Sequence, residues 1–149
     1  MKKIIIALAV LFISGTTVVF ASDKSRVSET VLQSFQKEFS KATDVSWISL
    51  NEPGLYQVKF NYEGESATAY FDEEGSLIAI GRFIETYQLP FLTRKAVESK
   101  YADFEIRNIL EYTLENETKY LVTIFNDKAV MIVNANSNGG LQLYEKVKK

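Results

Sequence analysis

Residues 55–83, LYQVKFNYEGESATAYFDEEGSLIAIGRF, decide the fold. They predict three short antiparallel strands joined by two tight turns. Tyr56-Gln57-Val58-Lys59-Phe60 alternates apolar and polar side chains, the period of a strand with one buried face. Residues 66–71 form the second strand, with Ala67, Ala69 and Phe71 on one face, and residues 76–83 the third. Asn61-Tyr62-Glu63-Gly64 and Asp72-Glu73-Glu74-Gly75 are the turns, each closing on a glycine that can take positive φ.

Upstream, residues 28–41 predict a helix. Val31, Phe35 and Phe39 recur every fourth residue with Leu32 alongside, and Gln33, Lys37 and Glu38 fall on the other side. Ser28 is a candidate N-cap. Residues 44–50 are a first strand, and Asn51-Glu52-Pro53-Gly54 is a turn by composition. Downstream the pattern restarts. Leu89-Pro90 marks a helix entrance, and Ala96, Val97 and Tyr101 make its stripe. Strands follow at residues 106–114, 120–125, 128–133 and 141–147. Tyr56, Val58, Phe60, Gly75 and Leu77 match Tyr120, Val122, Ile124, Gly139 and Leu141 at one constant spacing. The expected fold class is therefore α+β, a tandem repeat of a helix plus an antiparallel four-stranded unit. Both helices pack on one face of an antiparallel sheet. Residues 22–149 are expected to form a single domain of two repeats, about 25–86 and 87–149.

Residues 1–21 read as a signal peptide. Lys2 and Lys3 precede an apolar run over residues 4–13, Ser14-Gly15-Thr16-Thr17 interrupts it, and Val19-Phe20-Ala21 suits a signal peptidase. The expectation is a periplasmic or secreted protein with no membrane span after cleavage. The 149 residues hold 17 basic and 19 acidic side chains, interspersed, so no clustered basic face is expected to bind nucleic acid. Histidine and cysteine are both absent. That removes Ser-His-Asp and Cys-His catalysis, imidazole or thiolate metal sites, and disulfides. No cofactor and no enzymatic activity are expected.

Two acidic constellations remain. Asp72-Glu73-Glu74 could hold calcium, but that ion wants about 6 to 8 oxygens converging from several directions, and a tight turn does not supply them. Glu63 and Glu65 with Glu73 or Glu74 could be a glycosidase pair, which needs two carboxylates roughly 5 to 9.5 Å apart across a cleft. Both sets read more simply as solvated hairpin ends. Trp47 shares a strand face with Val45 and Ser49 and reads as core-edge packing under a helix.

The sheet face turned away from the helices is the stronger candidate. With Val58, Phe60, Ala69 and Phe71 turned in, Gln57, Lys59, Thr68, Tyr70 and Asp72 point out. Leu121, Thr123 and Phe125 point out by the same spacing, and Gln142, Tyr144 and Lys146 share a face on the last strand. Tyr70, Phe125 and Tyr144 are the candidate protein-binding residues. The alternative is that they are ordinary exposed aromatics that stabilise cross-strand pairs.

Phe35-x-x-x-Phe39, Val45-x-Trp47, Tyr56-x-Val58-x-Phe60, Ala69-Tyr70-Phe71-Asp72-x-x-Gly75 and Leu89-Pro90, in this order after a leader, resemble the PepSY-like, β-lactamase-inhibitor-like family of exported bacterial proteins. The resemblance spans nearly all of residues 22–149. It implies tandem α+β units, a place in the periplasm or outside the cell, and no catalytic residues. The inhibitor label names a fold similarity and carries no activity with it. The resulting expectation is an exported, non-enzymatic protein that binds a protein or peptide through the open sheet face or a sheet edge. The alternative is a small-ligand carrier with a cavity between helices and sheet.

Overall fold

Ser28 starts the first element. In a computed structural model, which describes residues 27–50 and 54–148, its backbone is extended and its Oγ accepts the Val31 N–H at 3.3 Å. That cap satisfies one of the free N–H groups that open a helix. Helix α1 runs Glu29–Glu38, with Glu29 in the first turn and Lys37 in the last, both favourable to the helix dipole. It buries Val31 and Phe35 against Trp47, Val58, Phe60, Ala69 and Phe71. Strands β1 (Thr43–Ser49), β2 (Leu55–Tyr62), β3 (Glu65–Asp72) and β4 (Leu77–Ile84) follow. The β2–β3 hairpin is in unbroken register from Leu55 opposite Asp72 to Tyr62 opposite Glu65. Its two loop residues, Glu63 and Gly64, both have positive φ, the mirror-image turn that matches strand twist.

The second part opens on a 3-10 turn, Thr86–Gln88, whose Glu85 N–H donates to Gln88 Oε1 at 2.8 Å. Helix α2 runs Phe91–Lys100 and buries Thr93 and Val97, so Thr93 takes the core position expected of Ala96. Strands β5 (Glu105–Leu114), β6 (Glu117–Phe125), β7 (Ala129–Asn136) and β8 (Leu141–Lys148) complete the fold. Leu89, Val97, Ile109, Tyr120, Val122 and Ile124 form the core under α2, joined by Met131 and Val133. Asn126, which has no glycine beside it, closes the β6–β7 turn with its own side chain: its Oδ1 accepts the N–H groups of Lys128 and Ala129.

The expected tandem α+β architecture is corrected. The described residues are mostly one antiparallel sheet of eight strands in chain order, with two α-helices of ten residues each. The physical reason lies in the strands. From Tyr120 to Ile124 every residue of β6 is buried, so both faces of that strand carry core. Two compact units can be distinguished, one ending at Gly81 and one starting at Arg82. The leader at residues 1–21 and the turn at 51–53 lie outside the described residues. Among the described residues, no helix is long and apolar enough to cross a membrane.

One turn ties sheet to helix. Gly139 has φ +83°, and a Cβ placed there would sit 2.9 Å from the Leu92 carbonyl oxygen in α2. Thr93 Oγ1 donates to the Asn136 carbonyl at 2.7 Å at the same junction. Gly139→Ala is expected to cost about 2 kcal/mol, from the left-handed backbone and the clash together. Gly64→Ala, with φ +91° and open space around its Cβ position, should cost about 1 kcal/mol. Urea titrations of both variants check this. Equal losses would show that the approach of α2 contributes nothing.

Candidate protein-binding surfaces

Tyr70 stands on β3 opposite Gln57 of β2 and Ala79 of β4. It is not on an open surface: the side chain is 0% exposed, and its hydroxyl accepts the Gln57 Nε2 hydrogen at 3.0 Å. Burial pushes that hydroxyl well above the usual tyrosine value. Gln57 and Ala79 are buried with it. In the second unit Leu110, Tyr112, Leu121 and Thr123, on the strand face away from α2, are buried as well. The centre of that face is therefore core in both units rather than an open polar and aromatic surface.

Phe125 ends β6 half-buried, opposite Glu105 and Val130. Tyr144 is also half-buried and falls at a register shift: Leu143 pairs with Val133 and Glu145 with Ile132, which leaves Tyr144 as the extra residue of a bulge. Lys146 then pairs with Met131, a residue of the core under α2, so the bulge separates Lys146 from the face that Tyr144 shares with Gln142. Tyr70 lies in the first unit and the other two candidates in the second. Phe125 shares its row with Val130 and Val147, away from Tyr144.

The acids expected at hairpin ends are found there. Asp72 Oδ1 accepts the Ser76 N–H at 2.7 Å, and Glu63 pairs with Lys41 at 2.7 Å. Among the described residues no group of three metal-ligating side chains converges.

The sheet ends at β1 and β8, and each pairs with a described strand on one side only. Beside β1, in the first unit, a groove of about 490 Å3 runs along α1. Leu32, Phe35 and Trp47 make its apolar floor, and Val45, 38% exposed, its strand-side wall. Glu29, Gln33 and Gln36 form a polar rim on the helix. A second groove, about 440 Å3, lies in the other unit between Phe83, Glu85, Arg107 and Asn108. Phe83, Tyr87, Phe91 and Leu92 are large exposed apolar side chains of that unit.

The α1–β1 groove escapes the sequence reading. Its residues carry a signal, since Leu32 flanks the helix stripe and Val45 sits two before Trp47, but that signal is the one that marks core. Edge status depends on which strands pair, and strand pairing is not written in any single strand.

No family model matches the chain, and no curated protein matches it significantly. Solved structures do. A BLIP-like protein from Bacteroides fragilis NCTC 9343 superposes with a TM-score of 0.68 at 18% identity, over 81% of this chain and 85% of that one. A candidate periplasmic protein from Bacteroides eggerthii DSM 20697 gives 0.69 at 12% identity, over 82% and 88%. A DUF2874 family protein from Bacteroides ovatus ATCC 8483 gives 0.69 at 18% identity, over 80% and 86%. None of the three carries a PepSY-like name, so the β-lactamase-inhibitor-like side of the resemblance is the one with structural support. At these identities the likeness is one of fold: this chain folds as a BLIP-like protein and a DUF2874 family protein of Bacteroides do.

Proposed function

We propose that the chain is an exported, non-enzymatic protein that binds a protein or peptide along a sheet edge. The observation that carries this reading is the α1–β1 groove, an apolar trough laid directly beside an edge strand. Edge strands present unpaired N–H and C=O groups, and a peptide that adds as a further strand satisfies them while its alternate side chains enter a neighbouring groove. The buried Tyr70, Leu110 and Leu121 weigh against the centre of the sheet face as the binding surface. The absence of histidine and cysteine supports the non-enzymatic part. Export is supported by the leader pattern of residues 1–21 and by the candidate periplasmic neighbour. The BLIP-like neighbour agrees with a protein-binding role. Against a carrier stands the packing: large side chains fill the space under α1 and under α2.

The test combines capture with hydrogen exchange. The chain from Ser22 is immobilised and exposed to envelope extract of its own source. Any retained protein is purified, returned to the free chain, and exchange is followed strand by strand. Slowed exchange confined to β1 or β8 is the expected result. A retained partner that leaves both edge strands unprotected, or a small molecule that co-purifies in native mass spectrometry with no retained protein, overturns it.

A further inference from the structure

We propose that the groove between α1 and β1 takes an extended peptide in which apolar residues alternate with lysine or arginine. This deepens the edge-binding reading and rests on it. Three observations converge in the first unit. First, β1 pairs with β2 from Ser46 to Ser49 in regular register, and no described strand pairs with its other side. An antiparallel guest there would find alternate backbone groups turned outward. Second, side chains of such a guest alternate between faces. Those on the face of Trp47 enter the groove over Leu32, Phe35 and Val45, which offers apolar surface at every second guest position. The groove volume of about 490 Å3 lies within the usual range of built sites.

Third, charge selects the guest. Residues 22–81 carry ten acidic side chains and five basic ones, Lys24, Arg26, Lys37, Lys41 and Lys59. Lys41 is already paired with Glu63. Glu29 lines the groove on its helix side. It accepts a hydrogen bond from Gln33 Nε2. A carboxylate accepts several such bonds, so Glu29 remains able to meet a cation. The field of the unit draws basic peptides in and turns acidic ones away. A second copy of this chain is the poorer occupant, because pairing β1 with its own copy would bring two acidic units together. The register shift between Thr43 and Ser46 limits such edge-to-edge pairing further.

The experiment uses three capped decapeptides, (Lys-Val)5, (Glu-Val)5 and (Lys-Ser)5, titrated calorimetrically into the chain from Ser22, with exchange measured on the complex. The expected result is saturable binding of (Lys-Val)5 alone, with slowed exchange in β1. Val45→Lys, which changes an exposed wall residue, should weaken it about tenfold, and Glu29→Gln about threefold. Val45→Ser serves as a second wall variant, and thermal melts confirm that each variant is folded. Equal affinity for (Glu-Val)5, full affinity for (Lys-Ser)5, or indifference to both Val45 variants overturns the proposal. Protection at β8 instead of β1 overturns the groove while leaving edge binding standing. Protection of β1 in a concentration-dependent dimer without peptide makes a second copy the occupant and overturns it too. Absence of peptide binding, with an envelope partner that protects neither edge, removes the edge reading together with the groove.

Discussion

Phe35→Ala is expected to lower stability by about 4 kcal/mol. Its ring is 4% exposed and lies among four other aromatic rings. The centroids of Phe39, Trp47, Phe60 and Phe71 are 5.5, 5.3, 5.1 and 6.2 Å away, and the last three meet it edge-on. Truncation removes the transfer free energy of the ring, leaves a cavity walled by rigid rings that collapse poorly, and loses edge-to-face pairing worth about 0.5 to 1.5 kcal/mol. Helix α1 magnifies the effect. Ten residues are too few to hold a helix in water unaided, and only Val31 and Phe35 of α1 are fully buried. Urea unfolding followed by far-ultraviolet circular dichroism and by Trp47 fluorescence measures it. The two signals should shift together, because the only tryptophan reports from beside the lost ring. Phe39→Ala, at the half-buried end of the same cluster, should cost about half as much. A loss below about 1.5 kcal/mol for Phe35→Ala would mean that the rings close over the cavity and that α1 is held by something other than this cluster.

That cluster was the most legible part of the molecule. The Val31, Phe35, Phe39 stripe, the Ser28 cap and the strand carrying Trp47 follow from helical and strand periods alone, and each packs as those periods require. The turns were legible for a related reason. Gly75 and Gly139 stand at equivalent places in hairpins closed by Asp72 and Asn136, whose side chains accept N–H groups four residues on. The fold class was not legible, because period two reports only a contrast between faces. Gln57 and Tyr70 look like outward residues since each has a polar end. They bond to each other instead, and a polar pair satisfied in this way is buried at little cost. On β6, Leu121 and Thr123 alternate with Tyr120, Val122 and Ile124 as an outer face would, yet all five are buried. The last strand failed for a different reason. A bulge at Tyr144 shifts the parity of everything after it, and no residue type in LQLYEKVK announces a bulge. The candidate site shared this fate: its residues were visible as core, while the edge that turns core-like side chains into a groove was not.

Tyr70→Ala carries the second large effect, and it separates the two readings of that residue. As a fully buried ring it should cost about 4 kcal/mol on removal, and the change also strips Gln57 Nε2 of its acceptor. As a surface ring it would cost almost nothing. Phe125→Ala, at the half-buried end of β6, should cost about 1 kcal/mol, so the pair of variants gives an internal comparison. Tyr70→Phe isolates the hydroxyl. It keeps the ring, loses the buried hydrogen bond from Gln57, and is expected to cost about 1 to 2 kcal/mol near neutral pH. Its alkaline behaviour should then differ from that of the parent. Burial raises the Tyr70 hydroxyl above its ordinary value of 10.0, so the folded state prefers the protonated form. The associated stability is complete below the unfolded value and is lost as pH rises past it toward the folded one. Burial raises Tyr112 and Tyr120 in the same direction, so the parent should lose stability steadily above about pH 10. Tyr70→Phe should lose less over that interval, because one of the three titrations is gone. Unfolding free energies at about pH 8 and about pH 11 read this directly. Parallel alkaline losses in parent and variant would show that the Tyr70 hydroxyl reaches water in solution. The face that holds it would then be an available surface and no longer part of the core.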